Sequence, residues 1–322
     1  MNHYPSNVKE KLNSIILSMA EHHWLFSKNP GHDFTRQHLG KLSFYDTMRL
    51  IISMGKGSTN DEIMDYFDLD PDLIPSQSAF CQRRRQISLS AFEYLFSEFS
   101  SSFPSTTDKF KDHCILACDG CHVVYATNSD IIEDYNKPRL IDYKGYNHMH
   151  LNGFVDVISK AFLDVVIQPG QQPDEREALH SMLDHFTPDD PQKYIITADR
   201  GYESYDLLFH CELKNLGYVF RVKSPSSPKS ILSYYASELP DDLEEFDVTI
   251  KRFFTDKATN IMKSQSDVYR YINPSKNTPH FYELLRKNHS HLYFLQFRVV
   301  KIKTAGISKT GNLFPPDSVQ FR

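Results

Sequence analysis

Two short apolar runs, each followed by an aspartate, constrain the fold of this chain more than any other feature. Residues 115–118 precede Asp119, and residues 195–198 precede Asp199. Apolar runs of this length, bounded by polar residues, are typical of strands that are buried on both faces of a sheet. Ligand-binding groups belong where such strands emerge, so neighbouring strands would bring the two carboxylates together. A carboxylate pair suits Mg²⁺, which prefers oxygen ligands.

The composition is that of an ordinary globular protein, with 322 residues of which 40% are hydrophobic and 24% charged. No stretch approaches the roughly 18 consecutive apolar residues that a membrane span needs, so we expect a cytoplasmic protein with no membrane partner. Five cysteines argue against a disulfide framework. The formal net charge of −5 argues against an indiscriminate nucleic-acid coat but allows local basic patches.

The pattern of apolar residues changes near residue 104. Residues 1–104 show apolar residues at helical spacing and predict an all-helical N-terminal region, in which the arginine cluster at residues 83–85 suits contact with DNA phosphates. Runs of strand length and helical segments share residues 105–223, which predicts an α/β fold with a mixed sheet and flanking helices. Short alternating strands predict a β-rich insertion over residues 224–303. Residues 304–322 lack apolar periodicity, so we expect an irregular tail there.

The predicted elements of the sheet region come from these runs. The strands are expected at 114–119, 123–126, 151–158, 161–167, 195–199 and 218–222, and the helices at 173–186 and 205–216. Gly217 follows the second helix at the position where glycine commonly ends a helix.

The two aspartate motifs, Asp119-Gly120 and Asp199-Arg200-Gly201-Tyr202, resemble those of DDE transposases of the insertion-sequence-four type. Their aspartates lie 80 positions apart (199 minus 119). The resemblance extends from about residue 33 to residue 223 and includes the segments 34–44, 75–85, 145–156, 177–179 and 220–223. It implies that the mixed sheet is ribonuclease H-like.

This resemblance also implies an activity, which is cut-and-paste DNA transposition by metal-dependent phosphoryl transfer at transposon ends. Asp119 and Asp199 would be the catalytic residues and the metal ligands, and Mg²⁺ or Mn²⁺ would be the ion. The expected partner is double-stranded DNA with terminal inverted repeats, bound by a homodimer. A bacterial protein of this family would be cytoplasmic and would associate with the nucleoid when bound to DNA.

The third carboxylate of the family is missing where the resemblance predicts it. The family carries a glutamate beyond the insertion in the pattern Tyr-x-x-Arg-x-x-x-Glu-x-x-x-x-x-x-Lys, and this chain has no such pattern. Its last glutamate is Glu283, and the only later acid is Asp317. We therefore expect a truncated or frameshifted transposase whose catalytic centre is incomplete. The alternatives are a non-catalytic DNA-binding remnant, or another ribonuclease H-like nuclease that takes its third carboxylate from Glu203 or Glu212.

Three places carry basic or aromatic residues that suit contact with DNA phosphates or unstacked bases. They are an arginine cluster in the helical region, a mixed basic and aromatic segment at 135–146, and the two residues that flank Gly201. In each place the alternative is an ordinary structural role, such as a solvated face, a surface loop or helix packing. The predicted DNA-contacting residues are Arg83, Arg84, Arg85, Lys137, Arg139, Lys144, Arg200 and Tyr202.

Two further groups have the composition of a metal site. Cys118 and Cys121 have zinc-like spacing, but no second pair lies at a matching distance and strand alternation would separate them. We expect them to be small buried hydrophobic residues. His148 and His150 lie on the same side of a possible strand and could bind metal, although structural histidines are commoner in such places.

Overall fold

The computed structural model of the protein describes residues 4–35, 42–102, 109–137, 145–273, 278–302 and 319–321. The chain divides into two compact units, Met1–Pro104 and Ser105–Arg322. The predicted α/β class, a mixed sheet with flanking helices, is confirmed by the second unit. Among the described helices, none is long and apolar enough to cross a membrane.

The first unit is built from helices around two clusters of buried apolar side chains. Serine side chains begin several of these helices by accepting a backbone N–H of the first turn, as Ser43, Ser58 and Ser76 do. Met19 and Met48 are among the side chains that fill one of these clusters. The helices are α1 (Tyr4–Glu21), α2 (Phe44–Ser53), α3 (Thr59–Tyr66), α4 (Gln77–Gln86) and α5 (Leu89–Ser101), with a short 3-10 helix at His23–Phe26.

The second unit contains the sheet, and its elements follow one another in chain order. The strands are β1 (Cys114–Tyr125), β2 (Tyr135–Asn136), β3 (Tyr146–Asp156), β4 (Phe162–Pro169), β5 (Tyr194–Ala198), β6 (Gly217–Val222), β7 (Phe246–Thr255), β8 (Tyr269–Tyr271), β9 (Leu292–Lys301) and β10 (Val319–Phe321). The helices are α6 (Glu175–His185), α7 (Tyr205–Leu213), α8 (Asn260–Ser264) and α9 (Pro279–Lys287), with 3-10 helices at Pro191–Lys193 and Ile231–Tyr235.

The strands form one sheet in the order β2-β3-β1-β5-β6-β10-β9-β7-β8, and β4 also pairs with β3. The strand pairs β1–β3 and β3–β4 are antiparallel, whereas β1–β5 and β5–β6 are parallel. Helices α6 and α7 contribute Leu179, Met182 and Leu208 to a core with sheet residues such as Leu116 and Ile196. This mixed sheet with helices against it is consistent with the ribonuclease H-like fold.

Strand β1 is longer than predicted, because it continues through Asp119 without a break. The sequence predicts two strands, 114–119 and 123–126, since Gly120 interrupts the apolar pattern. In the structure β1 pairs with β3 from Leu116 to Tyr125. The antiparallel partner therefore carries the strand past the glycine, and the predicted break is wrong.

The β-rich segment after residue 223 shares its core with α7. Phe209 of α7 is wholly buried and packs against Phe254 of β7 and Phe281 of α9, with ring centroids 5.2 Å and 4.7 Å away. Five consecutive residues after Asp206, namely 207–211, are buried as well. Helix α7 therefore lies between the core of the sheet and the core of the β-rich segment.

The last described residues form a strand where the sequence predicts an irregular tail. Val319–Phe321 pairs antiparallel with both β6 and β9. Three residues are too few for an apolar pattern to appear, so the expectation of an irregular tail is wrong at these positions. Residues 303–318 and Arg322 lie outside the described residues.

Candidate active site

Asp119 and Asp199 are neighbours at the point where the parallel ladder of β1 and β5 ends. The last paired residues of this ladder are Cys118 and Ala198, so each aspartate is the next residue on its chain segment. Neighbouring strands lie about 4.8 Å apart, which brings the two backbone segments close together. Both aspartates are exposed. The structure thus brings the two predicted residues to one place at the end of the ladder.

The backbone N–H that follows each aspartate orients its carboxylate. Gly120 N donates to Asp119 Oδ1 at 2.9 Å, and Gly201 N donates to Asp199 Oδ1 at 2.7 Å. The second oxygen of each carboxylate accepts no hydrogen bond from any described residue. One oxygen of each aspartate is therefore fixed, and the other is available to a ligand.

Glu175, the first residue of α6, brings a third carboxylate to the same place. A Cβ atom placed on Gly120 would lie 2.9 Å from Glu175 Oε1, and one placed on Gly201 would lie 3.3 Å from Glu175 Oε2. The absence of side chains at both glycines is what allows the Glu175 carboxylate to approach the two segments that carry the aspartates. Sequence reasoning missed Glu175.

The carboxylates reach the end of the ladder from both faces of the sheet. Side chains alternate along β1, and Asp119 lines a groove of about 250 Å³ together with Ala117 and Phe162. Glu175 lies on the other face, against Gly120. The backbone of Gly120 therefore lies between the carboxylates of Asp119 and Glu175.

A buried hydrogen bond joins the two aspartate motifs beneath the site. The Cys118 thiol donates to Tyr202 Oη at 3.5 Å, and Tyr202 is wholly buried. Burial raises the pKa of the Cys118 thiol to about 12, so the thiol keeps its proton at neutral pH. The negative charges of Asp119 and Glu175 raise the pKa values of Cys118 and Tyr202 further, because both carboxylates lie near this pair.

This burial corrects the prediction that Tyr202 contacts DNA, because its side chain packs in the core. The different environments of Cys118 and Cys121 decide against a zinc site there, and the expectation of a buried residue is wrong for Cys121. Cys118 is buried whereas Cys121 is exposed, since residues three apart on a strand point to opposite faces.

His150 of β3 faces the third carboxylate from inside the protein. Its side chain is only 3% exposed, and Nε2 lies 3.3 Å from Glu175 Oε1. The Glu175 carboxylate is the only polar contact of Nε2, and Nδ1 has no hydrogen-bond partner among the described residues, which is unusual for a buried polar atom. The other predicted histidine, His148, is also buried, but its Nδ1 has a partner in Asn136. A buried imidazole nitrogen without a hydrogen bond, next to a carboxylate, is suited to binding a polar ligand.

An open cavity of about 710 Å³ extends from this carboxylate, with His150, Glu175, Arg176 and Gly201 in its wall. Arg176 Nε donates to Gly201 O at 3.1 Å, which holds an exposed positive charge beside the acids. Mg²⁺ keeps several waters and binds through one or two carboxylates plus substrate phosphates. Asp199 and Glu175 both approach Gly201, and carboxylate oxygens are the ligands that such a hard divalent cation prefers.

Glu203 and Glu212 are not available as third carboxylates. Glu203 is 4% exposed, pairs with Lys223 Nζ at 3.1 Å and accepts hydrogen bonds from Ser230 and Ile231. Glu212 accepts hydrogen bonds from the hydroxyl groups of Tyr218 and Tyr293. Both side chains are engaged in the packing of the fold, so the alternative that assigned them to a metal site is wrong.

The predicted DNA-contacting residues fall into different environments. Arg83 is half-buried, with its guanidinium 5.2 Å from the ring centroid of Phe34 and one N–H donated to Gln86. Its neighbours on α4 point outward. The exposed members of the set are Arg84, Arg85, Lys137 and Arg200, and the positions Arg139 and Lys144 lie outside the described residues.

The sequence of this chain matches one family of known proteins. Residues 110–291, which are more than half of the chain, match the family described as Transposase DDE domain. No curated protein sequence matches the chain.

Among solved structures, the fold is similar to the cryo-EM structure of a piggyBac transposase synaptic complex with hairpin DNA. The identity is 10% and the TM-score 0.37, and the match covers 89% of this chain. It covers 58% of the piggyBac chain, so this chain spans little more than half of that transposase.

Proposed function

The chain belongs to the family of proteins with a transposase DDE domain, and from this premise we propose that it is a DNA transposase that cleaves and joins strands at transposon ends. The observation that carries the proposal is the end of the β1–β5 ladder, where Asp119 and Asp199 are adjacent and Glu175 approaches both segments. Terminal inverted repeats as the DNA sites, and a homodimer on DNA, belong to the same proposal.

Asp119 and Asp199 would hold the divalent ions, for which we propose Mg²⁺ or Mn²⁺, and Glu175 would add a carboxylate beside Asp199 at Gly201. When bound, such ions supply an activated water or 3′-hydroxyl and stabilise the leaving oxygen of an in-line displacement. Glu175 takes the place of the glutamate that the resemblance locates beyond the insertion. The proposal thus includes a candidate third carboxylate, whereas the sequence predicts a chain that lacks one.

The residues around the carboxylates orient the aspartates and would neutralise the charge of DNA phosphates. Gly120 N and Gly201 N fix one oxygen of each aspartate, so the direction of the other oxygen is set before substrate arrives. Arg176 keeps an exposed guanidinium at the cavity wall, where it would pair with a DNA phosphate. Arg200, exposed directly after Asp199, would contact the same backbone.

Removal of divalent ions tests this function. Purified full-length chain, incubated with a duplex that carries the transposon end and its flank, should nick that duplex in Mg²⁺ or Mn²⁺ and leave it intact after chelation by EDTA. Quantitative gel analysis of the strands reports the cleavage. Binding of the duplex without cleavage in either ion would identify a DNA-binding remnant, and absence of binding would reject DNA as the partner. Sedimentation of the chain with end DNA reports whether two chains bind.

The exposed arginines of α4 give a separate expectation for DNA affinity. Each phosphate contact contributes about 0.9 to the slope of log K against log salt, so the double substitution Arg84→Ala, Arg85→Ala should lower that slope by roughly 2. Fluorescence anisotropy between low and high salt measures it. The matched control is Lys9→Ala, Lys11→Ala on α1, which removes equal charge from exposed positions. Equal losses in both double variants would show that only net charge matters and that α4 makes no specific contact.

A further inference from the structure

Three histidines from three different helices meet at a second place in the fold. His180 of α6, His210 of α7 and His280 of α9 stack their rings, with centroids 3.9 Å to 5.1 Å apart. Ligand atoms of all three lie within 4.8 Å of one another. His210 is buried, and the side chains of His180 and His280 are only 12% and 15% exposed. We call this group the histidine cluster.

A carboxylate oxygen lies beside one ring nitrogen of each imidazole in the cluster. Asp206 Oδ2 lies 2.7 Å from His280 Nδ1 and 3.6 Å from His180 Nε2, and Asp184 Oδ1 lies 3.2 Å from His210 Nε2. A carboxylate beside one nitrogen favours the tautomer with the proton there and leaves the lone pair on the other nitrogen. The free nitrogens are then His180 Nδ1, His210 Nδ1 and His280 Nε2.

The geometry of these free nitrogens indicates a ligand. His180 Nδ1 and His210 Nδ1 are 2.9 Å apart. In one pair of tautomers this contact is a hydrogen bond, and in the pair with both protons on the carboxylate sides the two lone pairs face a space that a cation would fill. Burial, followed by the charge that His280 would carry, lowers the pKa of His180 to about 4 and that of His210 to about 2. Both rings are therefore neutral near pH 7, which is the form that binds metal.

The chemistry of the donors selects the class of ion. Imidazole nitrogens suit Zn²⁺, Co²⁺ and similar transition metals, whereas Mg²⁺ requires oxygen ligands. Zn–N bonds of 2.0–2.1 Å place tetrahedral ligand nitrogens about 3.3 Å apart. The spacings in the cluster, from 2.9 Å to at most 4.8 Å, bracket that value, and the stacked rings would turn to direct their nitrogens to one ion.

Asp206 has the position of an outer partner that orients a metal ligand. Besides the ring of His280, its Oδ1 accepts the backbone N–H groups of His280 and Phe281 at 3.1 Å and 3.3 Å. The carboxylate of α7 therefore fixes both the start of α9 and the direction of the imidazole that α9 carries. The cavity of about 710 Å³ reaches the cluster and leaves room for a fourth ligand.

We propose that His180, His210 and His280 form a binding site for a transition-metal ion of the zinc class, separate from the carboxylate site. A bound ion ties α9, which belongs to the β-rich segment, to α6 and α7 of the sheet. It thereby stabilises the folded chain.

Titration of metal-free full-length protein with CoCl₂ and ZnCl₂ tests the site. We expect one Co²⁺ per chain, with visible d–d absorption of a nitrogen-rich site, and a gain in thermal stability with Zn²⁺. His280→Gln should weaken Co²⁺ binding by about 100-fold or more, since even outer partners of a ligand contribute 10–100-fold. The matched control is His185→Gln, because His185 is an exposed histidine of the same helix as His180.

Three results would overturn the proposal. They are Co²⁺ binding no tighter than Mg²⁺ binding, equal weakening by His280→Gln and His185→Gln, and no shift in the melting temperature of the unsubstituted chain with Zn²⁺. The last measurement needs no variant, so it stands even where His280→Gln fails to fold. Asp119→Asn should leave the d–d absorption of the nitrogen-rich Co²⁺ site unchanged, which separates a failure here from a failure of the transposase proposal.

Discussion

Asp119→Asn should reduce metal-dependent DNA cleavage by on the order of 10³-fold or more. Asparagine keeps an oxygen that can accept the N–H of Gly120, so the local backbone is preserved. It removes the negative charge that holds a divalent ion, and such ions supply several kcal/mol of transition-state stabilisation. A loss of about 4 kcal/mol corresponds to a factor of 10³ in rate. Asp199→Asn should have the same effect, since its carboxylate is held in the same way.

Single-turnover cleavage of end DNA in Mg²⁺ measures this loss, and anisotropy on the same duplex reports binding. Asp189→Asn is the control, because it makes the same charge change at an exposed position between α6 and β5. We expect Asp189→Asn to cleave at the unsubstituted rate and Asp119→Asn to bind DNA at least as tightly as before. Cleavage by Asp119→Asn at the unsubstituted rate would remove Asp119 from the active site.

Glu175→Gln should lower cleavage by about 100-fold and raise the Mg²⁺ concentration needed for half-maximal rate. The Glu175 carboxylate approaches both Gly120 and Gly201, and glutamine keeps the shape of this side chain but loses its negative charge. A factor of 100 corresponds to about 2.7 kcal/mol, which is within the range of a lost ligand to a divalent ion. Initial cleavage rates across an Mg²⁺ titration measure both effects.

Glu177→Gln provides the comparison for Glu175→Gln. Both glutamates lie in the first turn of α6, so the two substitutions change the charge near the start of the helix equally. Only Glu175 lies close to the glycines that follow the aspartates. If both variants lost the same activity, the effect would come from the helix terminus. If Glu175→Gln retained full activity, the third ligand would have to come from another residue.

The position of the two aspartates was predictable because it depends on local patterns. An apolar run fixes a buried strand, and two such strands in parallel bring the residues at their ends together, as Cys118 and Ala198 show. Glu175 was not predictable in this way. An acid in the first turn of a helix is ordinary, since it favours the positive end of the helix dipole, so Glu175 and Glu177 look alike in the sequence. Only the close approach at Gly120 and Gly201 separates them.

The histidine cluster shows a second limit of sequence reasoning. Positions 180, 210 and 280 have no spacing that signals a metal site, because each histidine lies on a different helix. Their meeting depends on how α9 packs against α7, which is a long-range contact. The residue that caps a helix can also differ by one position from the one that the sequence pattern indicates. Thr59 and Glu62 have the spacing of a capping box, but Ser58 caps α3, and Glu62 accepts hydrogen bonds from the N–H groups of Gly55 and Gly57.

The burial of Tyr202 determines how stiff the second aspartate is. Asp199 lies between Ala198, the last residue of the ladder, and Tyr202, whose ring is locked in the core and hydrogen-bonded to Cys118. Tyr202 N also donates to Asp199 O at 3.2 Å. A segment that is held at both ends has few conformations to lose. Binding of an ion to Asp199 therefore costs little conformational entropy of the backbone. The loop would not adjust to different ions. The site would therefore select an ion by how well its radius and hydration match the fixed spacing of the oxygens.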